Sequence, residues 1–384
     1  MSETKMFTPG PGNVPLGVHL ASIKSSTHHR TKEFKELFDR IQRKLQYVFQ
    51  TKNDVLLLSS SGSGAMESVV SSLINEGDDI VVLSAGKYGD RWIHLCDAYK
   101  AKTRSIVADG EGTFDLESVE EVISHLRPKY VFVTHCETST GITHDIRSIS
   151  KICKKYGSLI IVDAMTTVGV EPVLTDEWSL DVVISSSQKG FMNPPGLSFI
   201  TLSDKAWKNV KPKDHYSYWN LNIIRESSKD LTTPNTPPFS LLFGLDYALD
   251  KMETEGLNEI WKRHLICAEC CRVGIEKLGF DLFHKKNLSS ALTAVKLPEG
   301  DQMSDLLVNL KSKFDFMVAS GQGELKNKII RVGHIGSTKP IDIITLLSAM
   351  ELVLAELGHP IRLGESVTAA LEVIARYERN NLIQ

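Results

Sequence analysis

The sequence predicts an α/β protein, with a large domain built on a mainly parallel sheet and a smaller C-terminal α+β domain. Two observations support this prediction. Through residues 54–202, short and uniformly apolar segments alternate with longer amphipathic ones, which is typical of parallel strands covered by helices on both faces. Beyond about residue 280, strand-like and helical segments form a second group. The length of 384 residues leaves room for roughly two to three domains.

The first predicted elements belong to the large domain. From Glu33 to Gln50, apolar side chains recur at helical spacing and predict an amphipathic helix. Apolar runs too short for helices then predict strands at 54–60, 79–84, 129–135, 158–164, 181–187 and 197–202. Helical periodicity fills most of the gaps, for example at 116–126 and 146–156.

The second half of the chain begins with a break in this pattern. Residues 212–238 are polar, aromatic and proline-rich, and so long an irregular segment is usually functional. Two helices are predicted next, at 240–255 and 257–278. The smaller domain then has predicted strands at 291–297, 315–319 and 328–333, and helices at 303–313, 340–357 and 362–377. We therefore predict an N-terminal arm (1–15), a large domain (16–265) and a small domain (266–384).

Composition excludes several classes of protein. A formal net charge of −3 provides no overall field that would attract nucleic acid or an anionic membrane. The N-terminus has no apolar segment of signal-peptide length, and no run of about 18 apolar residues exists. We therefore expect a cytoplasmic protein that binds neither nucleic acid nor membranes.

No metal site is predicted. Cys267 and Cys270 have C-x-x-C spacing, but no cysteine follows Cys271, so a second pair of zinc ligands is missing. Their helical spacing indicates buried, small apolar side chains. Three other candidate ligands surround a strand end, where support beneath a bound ligand fits them better than metal binding: His135, Glu137 and His144.

Candidate functional residues follow the predicted strands, because ligands of open parallel sheets bind at the carboxyl ends of the strands. After the strand at 54–60 comes Ser61-Gly62-Ser63-Gly64, followed by a helical segment. Small residues at a helix N-terminus suit an anion such as phosphate. The turn is neither a P-loop nor a complete G-x-G-x-x-G, since Glu67 replaces the third glycine. A purely structural strand–helix turn is the alternative.

Two charged residues also end apolar strands. Asp163 follows "LIIV" and Lys189 follows "VVISSSQ". Each could be a structural ion-pair partner, because a buried charge needs compensation. A desolvated lysine is also the usual amine of Schiff-base chemistry. A phosphate site, an acid and a lysine at one sheet edge together fit a ligand with a phosphate, a protonatable ring nitrogen and an aldehyde. Pyridoxal phosphate has all three.

The ordered motifs make the sequence resemble a class V aminotransferase, in the alanine–glyoxylate and serine–pyruvate branch of the fold-type I pyridoxal phosphate enzymes. The resemblance covers nearly the whole chain and implies a seven-stranded large sheet. It rests on "FTPGPGNVP", "HHRTKEF", "SSSGSGAME", "GKYGDRW", "THCETSTG", "IIVDA", "SSSQKGFMNPPG" and "GQGELKNKIIRVGHIG".

The resemblance implies roles toward the cofactor. Lys189 would condense with its aldehyde, and Asp163 would pair with the pyridine nitrogen. Tyr88 would stack on the ring, and Thr138 would contact its phenolic oxygen. The phosphate would be held by Ser61, Gly62, Ser63 and Gln188.

The resemblance also implies substrate and subunit contacts. Arg331 would bind the substrate α-carboxylate, for which bidentate geometry is suited. Gly10 would close the substrate side of the site. Thr236 would reach the phosphate in the other subunit of a homodimer, which would explain the irregular segment.

The implied activity is transfer of an amino group from serine or alanine to pyruvate or glyoxylate. One alternative is a nicotinamide-dependent oxidoreductase using the turn at Ser61, against which the broken glycine pattern argues. Another is a cysteine desulfurase, which needs a nucleophilic cysteine beyond Cys271 and has none. A cofactor-free binding protein is the third, and the combination of Lys189, Asp163 and Arg331 argues against it.

Overall fold

A computed structural model of the chain describes residues 4–24, 27–212, 218–298 and 302–381. The strands are β1 (Lys5–Phe7), β2 (Val55–Leu58), β3 (Asp79–Ser84), β4 (Lys102–Val107), β5 (Tyr130–Thr134), β6 (Cys136–Glu137), β7 (Ile142–Thr143), β8 (Leu159–Asp163), β9 (Val182–Ser186), β10 (Ser198–Leu202), β11 (Leu292–Lys296), β12 (Phe316–Ser320) and β13 (Ile329–Gly333). The helices are α1 (Leu16–Ser22), α2 (Lys32–Phe49), α3 (Gly62–Leu73), α4 (Lys87–Ala98), α5 (Leu116–Leu126), α6 (Ile146–Tyr156), α7 (Asp204–Trp207), α8 (Leu221–Lys229), α9 (Phe239–Glu255), α10 (Leu257–Lys277), α11 (Gln302–Phe314), α12 (Pro340–Glu356) and α13 (Glu365–Asn381).

The large sheet confirms the predicted α/β class. In the described residues it has seven strands in the order β2-β10-β9-β8-β5-β3-β4. β10 is antiparallel to both of its neighbours, and the other adjacent pairs are parallel. The sequence pattern missed β4, because this edge strand is mostly exposed and lacks a continuous apolar run.

Helices cover both faces of this sheet. Successive side chains of a strand point to opposite faces, so β3 sends Val81 and Leu83 into one core and Ile80 and Val82 into the other. The first core is completed by α2, α5, α6 and α9, and the second by α3, α4 and α8. Because helices cover both faces, a ligand can reach the sheet only at the ends of its strands.

The smaller sheet has the order β1-β12-β13-β11, and α10 to α13 pack against it. β1 pairs with β12, and Phe7 joins the small core, so the predicted arm over 1–15 contains a strand that the sequence pattern did not indicate. Within α10, Leu257 belongs to the large core and Cys267 to the small core. We retain the division at 15/16 and 265/266 as a proposal.

The segment at 212–238 is only partly irregular. It contains α8, which the sequence pattern missed because "LNIIRESSK" combines two isoleucines with many polar residues. Residues 213–217 of this predicted segment lie outside the described residues, as do the chain's first three and last three residues.

Two further findings concern the predictions from composition. No helix in the described parts of the chain is long and apolar enough to cross a bilayer. Cys267, Cys270 and Cys271 are buried free thiols in the small core, as their helical spacing predicted.

Candidate active site

A cavity of about 290 Å³ lies at the carboxyl ends of four strands of the large sheet: β2, β5, β8 and β9. This volume is near the lower end of the range for small-molecule sites. Nine of the predicted site residues line it: Gly10, Ser61, Gly62, Ser63, Tyr88, Thr138, Asp163, Gln188 and Lys189. The other lining residues are Pro11, Arg91, Thr134, Cys136, Met165, Thr166 and Pro195.

Lys189 is held against the N-terminal segment. Its Nζ donates a hydrogen bond to the carbonyl oxygen of Pro9 at 2.6 Å. Gly10 packs so closely on this side chain that an added Cβ would lie 2.3 Å from Nζ, and Gly10 also has a φ of +143°. Removal from water lowers the pKa of the Lys189 ammonium to about 8. A substantial fraction of the amine is therefore neutral near pH 8.

Asp163 ends β8 on the floor of the cavity and is 4% exposed. Its Oδ1 accepts a hydrogen bond from the Met165 N–H at 2.9 Å. Burial nevertheless raises the pKa of the Asp163 carboxyl to about 6. A cationic group in the cavity would therefore stabilise the carboxylate form.

His135 follows β5 and contacts Asp163 at the end of the neighbouring strand β8. Its backbone N–H donates to the Asp163 carbonyl oxygen at 2.8 Å, and its Nδ1 hydrogen-bonds with Thr167 Oγ1 at 2.8 Å. Burial lowers the pKa of His135 to about 3, so the ring is neutral. Within the described residues, no group of three or more His, Cys, Asp or Glu side chains could hold a metal ion. The predicted supporting role of His135 beneath a ligand stays a prediction, with which its bonds to Asp163 and Thr167 are consistent.

The predicted phosphate turn caps α3. Ser61 is the N-cap residue, and its side chain makes no capping hydrogen bond. Gly62 packs closely on Met165: an added Cβ would lie 2.2 Å from Met165 Sδ, so a larger residue would displace that side chain. The N-terminal N–H groups and the helix dipole favour an anion here.

Arg91 also reaches this turn, although the sequence interpretation gave it no role. Its Nη1 donates to Ser63 Oγ at 3.0 Å, and its guanidinium carbon lies 5.0 Å from the centre of the Tyr88 ring. A usable signal existed in "GKYGDRW": Arg91 is three residues after Tyr88 in α4, so both side chains lie on one face of the helix.

Tyr88 is positioned by a buried carboxylate. Glu137 accepts hydrogen bonds from the N–H groups of Tyr88 (3.0 Å), Gly89 (3.1 Å) and Ser139 (3.1 Å). Burial raises the pKa of Glu137, while these donors stabilise its ionised form. Glu137 therefore fixes the start of α4, and with it Tyr88, at the cavity.

Arg331 lies in β13 beside the cavity without lining it. Its Nε donates to the Ser320 carbonyl oxygen at 3.0 Å, and its Nη1 donates to the Thr138 carbonyl oxygen at 3.0 Å. The side chain is 5% exposed, and burial lowers the pKa of the guanidinium. Arg331 is thereby held in one orientation beside Thr138, which does line the cavity.

Thr236, like Arg331, is a predicted site residue that does not line the cavity. It is exposed and absent from the lining residues. Nearby, Thr233 is buried, and its Oγ1 donates to the Asn235 carbonyl oxygen at 2.7 Å. A role for Thr236 at a cofactor would therefore require a second copy of the chain.

The cavity suits pyridoxal phosphate. Gln188 Oε1 and Thr134 Oγ1 are buried there without a hydrogen-bond partner among the described residues, so both are free to bind a ligand. Lys189 supplies an amine, Asp163 an acid and the start of α3 an anion site. These are the groups that an aldehyde, a ring nitrogen and a phosphate require.

Comparisons with known proteins agree with the site. The family profile described as "Aminotransferase class-V" matches residues 17–327. A protein of Synechococcus sp., named soluble hydrogenase, small subunit, is 40% identical over 97% of this chain and 99% of its own length. A serine–glyoxylate aminotransferase of Methylorubrum extorquens is 29% identical over 95% of this chain and 94% of its own.

A solved structure has the same fold. The alanine–glyoxylate aminotransferase of Nostoc sp. superposes with a TM-score of 0.88 over 92% of this chain and 96% of its own, at 30% identity. The resemblance inferred from the motifs is thus confirmed, and so is the cofactor class. The chain is a pyridoxal-phosphate-dependent transaminase and belongs to the class V aminotransferase family.

Proposed function

We propose that this transaminase moves an amino group from serine or alanine to pyruvate or glyoxylate. The observation that carries the proposal is the meeting of Lys189 and Asp163 in one small cavity, with Arg331 held beside it through the lining residue Thr138. The names of the two related aminotransferases, serine–glyoxylate and alanine–glyoxylate, support small substrates.

Lys189 is proposed to bind the cofactor and to move the proton. Bound pyridoxal phosphate supplies an aldehyde for the amino group and a ring that withdraws electrons from the substrate α-carbon. With the cofactor bound, Lys189 would hold its aldehyde carbon, and as general base and acid its amine would carry the proton of the substrate α-carbon to that cofactor carbon. The lowered pKa of Lys189, about 8, suits both directions of this transfer near neutral pH.

Asp163 is proposed to keep a proton on the ring nitrogen. An ionised carboxylate within hydrogen-bond range raises the pKa of a cationic partner by about 1–3 units. The carboxylate cannot turn away freely, because Oδ1 already accepts the Met165 N–H. Asp163 therefore maintains the electron-withdrawing form of the ring.

Arg331 is proposed to bind the α-carboxylate shared by all the substrates. A guanidinium has five N–H donors, and Ser320 and Thr138 take two of them. Enough donors remain for two parallel bonds to a carboxylate. The substrate is thereby oriented with its α-carbon toward Lys189.

We propose that the active form is a homodimer. Thr236 is exposed, as a residue that serves a partner's site would be. On α1, the exposed side chains of Leu16 (69%) and Leu20 (60%) lie one turn apart, and the exposed Ile23 (77%) directly follows the helix. A second copy covering this apolar stripe would remove it from water.

The desulfurase alternative gains no support from the cavity. Cys136 is the cysteine that lines it, and burial raises the pKa of this thiol well above its ordinary value. Its Sγ also donates to Ser289 Oγ at 3.2 Å. Such a thiol is a poor nucleophile, since the thiolate is the reactive form.

A donor–acceptor activity matrix tests the proposal. Serine, alanine, aspartate and glutamate are each paired with pyruvate, glyoxylate and 2-oxoglutarate, leaving out alanine with pyruvate and glutamate with 2-oxoglutarate, which only regenerate themselves. Lys189→Ala is the control for enzyme-independent exchange. We expect the highest kcat/KM for serine or alanine with pyruvate or glyoxylate. A clear preference for aspartate with 2-oxoglutarate would refute the proposed substrates while leaving the transaminase class intact.

A further inference from the structure

Resting on the proposed function, we propose that Arg91 binds the phosphate group of pyridoxal phosphate and supplies the main side-chain charge that neutralises it.

The first argument is the charge balance of the cavity. A phosphate monoester carries a charge of about −1.5 to −2 at pH 7. Among the described residues that line the cavity, the cationic side chains are Lys189 and Arg91, and the acidic one is Asp163. In the proposed function, Lys189 binds the aldehyde and Asp163 pairs with the ring nitrogen. Arg91 is therefore the cation left for the phosphate.

The second argument is position. Arg91 donates to Ser63 Oγ, and Ser63 is in the first turn of α3, where the N–H groups point toward an anion. The same guanidinium lies against the Tyr88 ring, at 5.0 Å from its centre. The side chain thus joins the expected ring-stacking residue to the expected phosphate turn.

The third argument is that Arg91 forms no ion pair with the acidic side chains that the structure describes. None of the ion pairs between described residues involves Arg91, and its hydrogen bond to Ser63 Oγ uses Nη1 alone. The neighbouring acid, Asp90, accepts the Ser84 hydroxyl at 2.7 Å instead. A guanidinium with donors to spare suits phosphate, which it binds with two parallel hydrogen bonds.

The competing role for Arg91 is recognition of a distal carboxylate on a dicarboxylic substrate. Arg91 also lines a more open cavity next to the cofactor cavity, together with Lys87, His94 and Gln322. The bond to Ser63 at the start of α3 favours the phosphate, because it turns the guanidinium toward the anion site.

The experiment compares two ligands that differ only in the phosphate. Apoenzyme is titrated with pyridoxal phosphate and with pyridoxal, following absorbance, for the parent, Arg91→Met, Arg91→Lys and Lys87→Met. Lys87 is the matched control, since it is an exposed cation one turn before Arg91 in α4 and does not line the cofactor cavity.

We expect Arg91→Met to weaken pyridoxal phosphate binding by about 10- to 150-fold, the loss of one charge-assisted contact. Pyridoxal binding should change by less than about threefold. Arg91→Lys should be intermediate for pyridoxal phosphate, and Lys87→Met should match the parent with both ligands. If Arg91→Met does not fold, as judged by circular dichroism, Arg91→Lys decides by the same comparison.

Equal weakening of both ligands, or of neither, would overturn the assignment. Unchanged cofactor affinity with a selective loss of aspartate binding would instead place Arg91 in the substrate site and also overturn it. Borohydride fixation of the cofactor on Lys189 in the parent is measured in parallel. If borohydride does not fix the cofactor on Lys189, the proposed function is refuted. The titration outcomes described above bear on Arg91 alone, so the two failures can be told apart.

Discussion

Replacing Arg331 with lysine should weaken amino acid binding without removing the cofactor. In the parent, Ser320 and Thr138 hold the guanidinium through Nε and Nη1 at 3.0 Å each. A lysine ammonium keeps the charge but cannot satisfy both carbonyl groups and also form two parallel bonds to a carboxylate. At least one charge-assisted hydrogen bond is lost, which costs about 1.5–3 kcal/mol, or roughly 10- to 150-fold in affinity.

The assay is a titration of the cofactor absorbance band with serine and with alanine. Both share the α-carboxylate, so both should lose affinity by a similar factor, and their ratio should barely change. Arg225→Lys is the matched control, since this arginine pairs with Asp54 at 3.4 Å and lies outside the cavity lining. If Arg331→Lys binds serine as tightly as the parent does, Arg331 does not hold the carboxylate.

Three other predictions concern Asp163, Lys189 and Thr236. Asp163→Asn should retain the cofactor but lower the pKa of its ring nitrogen by about 1–3 units and slow α-proton removal; an unchanged single-half-turnover rate would exclude the proposed role. Because the pKa of Lys189 is lowered to about 8, its neutral, reactive fraction grows as pH rises and is about one half at that pH. Condensation of apoenzyme with pyridoxal should therefore be half-maximal near pH 8 and level off about one unit above it, whereas a rate that still climbs steeply at about pH 10, as for an ordinary lysine, would contradict this. Thr236→Ala should loosen the cofactor, and mixing it with Lys189→Ala subunits should restore one intact site per mixed dimer; no recovery on mixing would argue against sharing between subunits.

The sequence predicted the interior of the large sheet well because buried parallel strands must be apolar throughout. β8 and β9 are examples, with every residue buried. β4 was missed for the opposite reason: at the sheet edge, its Lys102 and Arg104 remain in water, and no apolar run marks the strand. Sequence patterns therefore identify elements through what they bury, and less through their backbone geometry.

The same limit applies to the site. Lys189 and Asp163 could be singled out from the sequence because a charge at the end of an apolar strand costs free energy unless a partner compensates it. Arg331 could be predicted only through the resemblance, since its β13 belongs to the other sheet and comes beside the cavity only in the tertiary fold. The sequence pattern did not indicate Arg91, because a basic residue on a helix is usually solvated. Its hydrogen bond to Ser63 joins residues that are 28 positions apart.

Borohydride reduction of the purified protein, followed by peptide mass spectrometry, tests the central claim most directly. The parent should be yellow, and reduction should fix the mass of pyridoxal phosphate on the peptide that contains Lys189. Lys189→Ala should yield no adduct at an equivalent position. An adduct on another lysine, or a colourless protein that binds a nicotinamide dinucleotide, would contradict the assignment of Lys189 and the chemistry built on it.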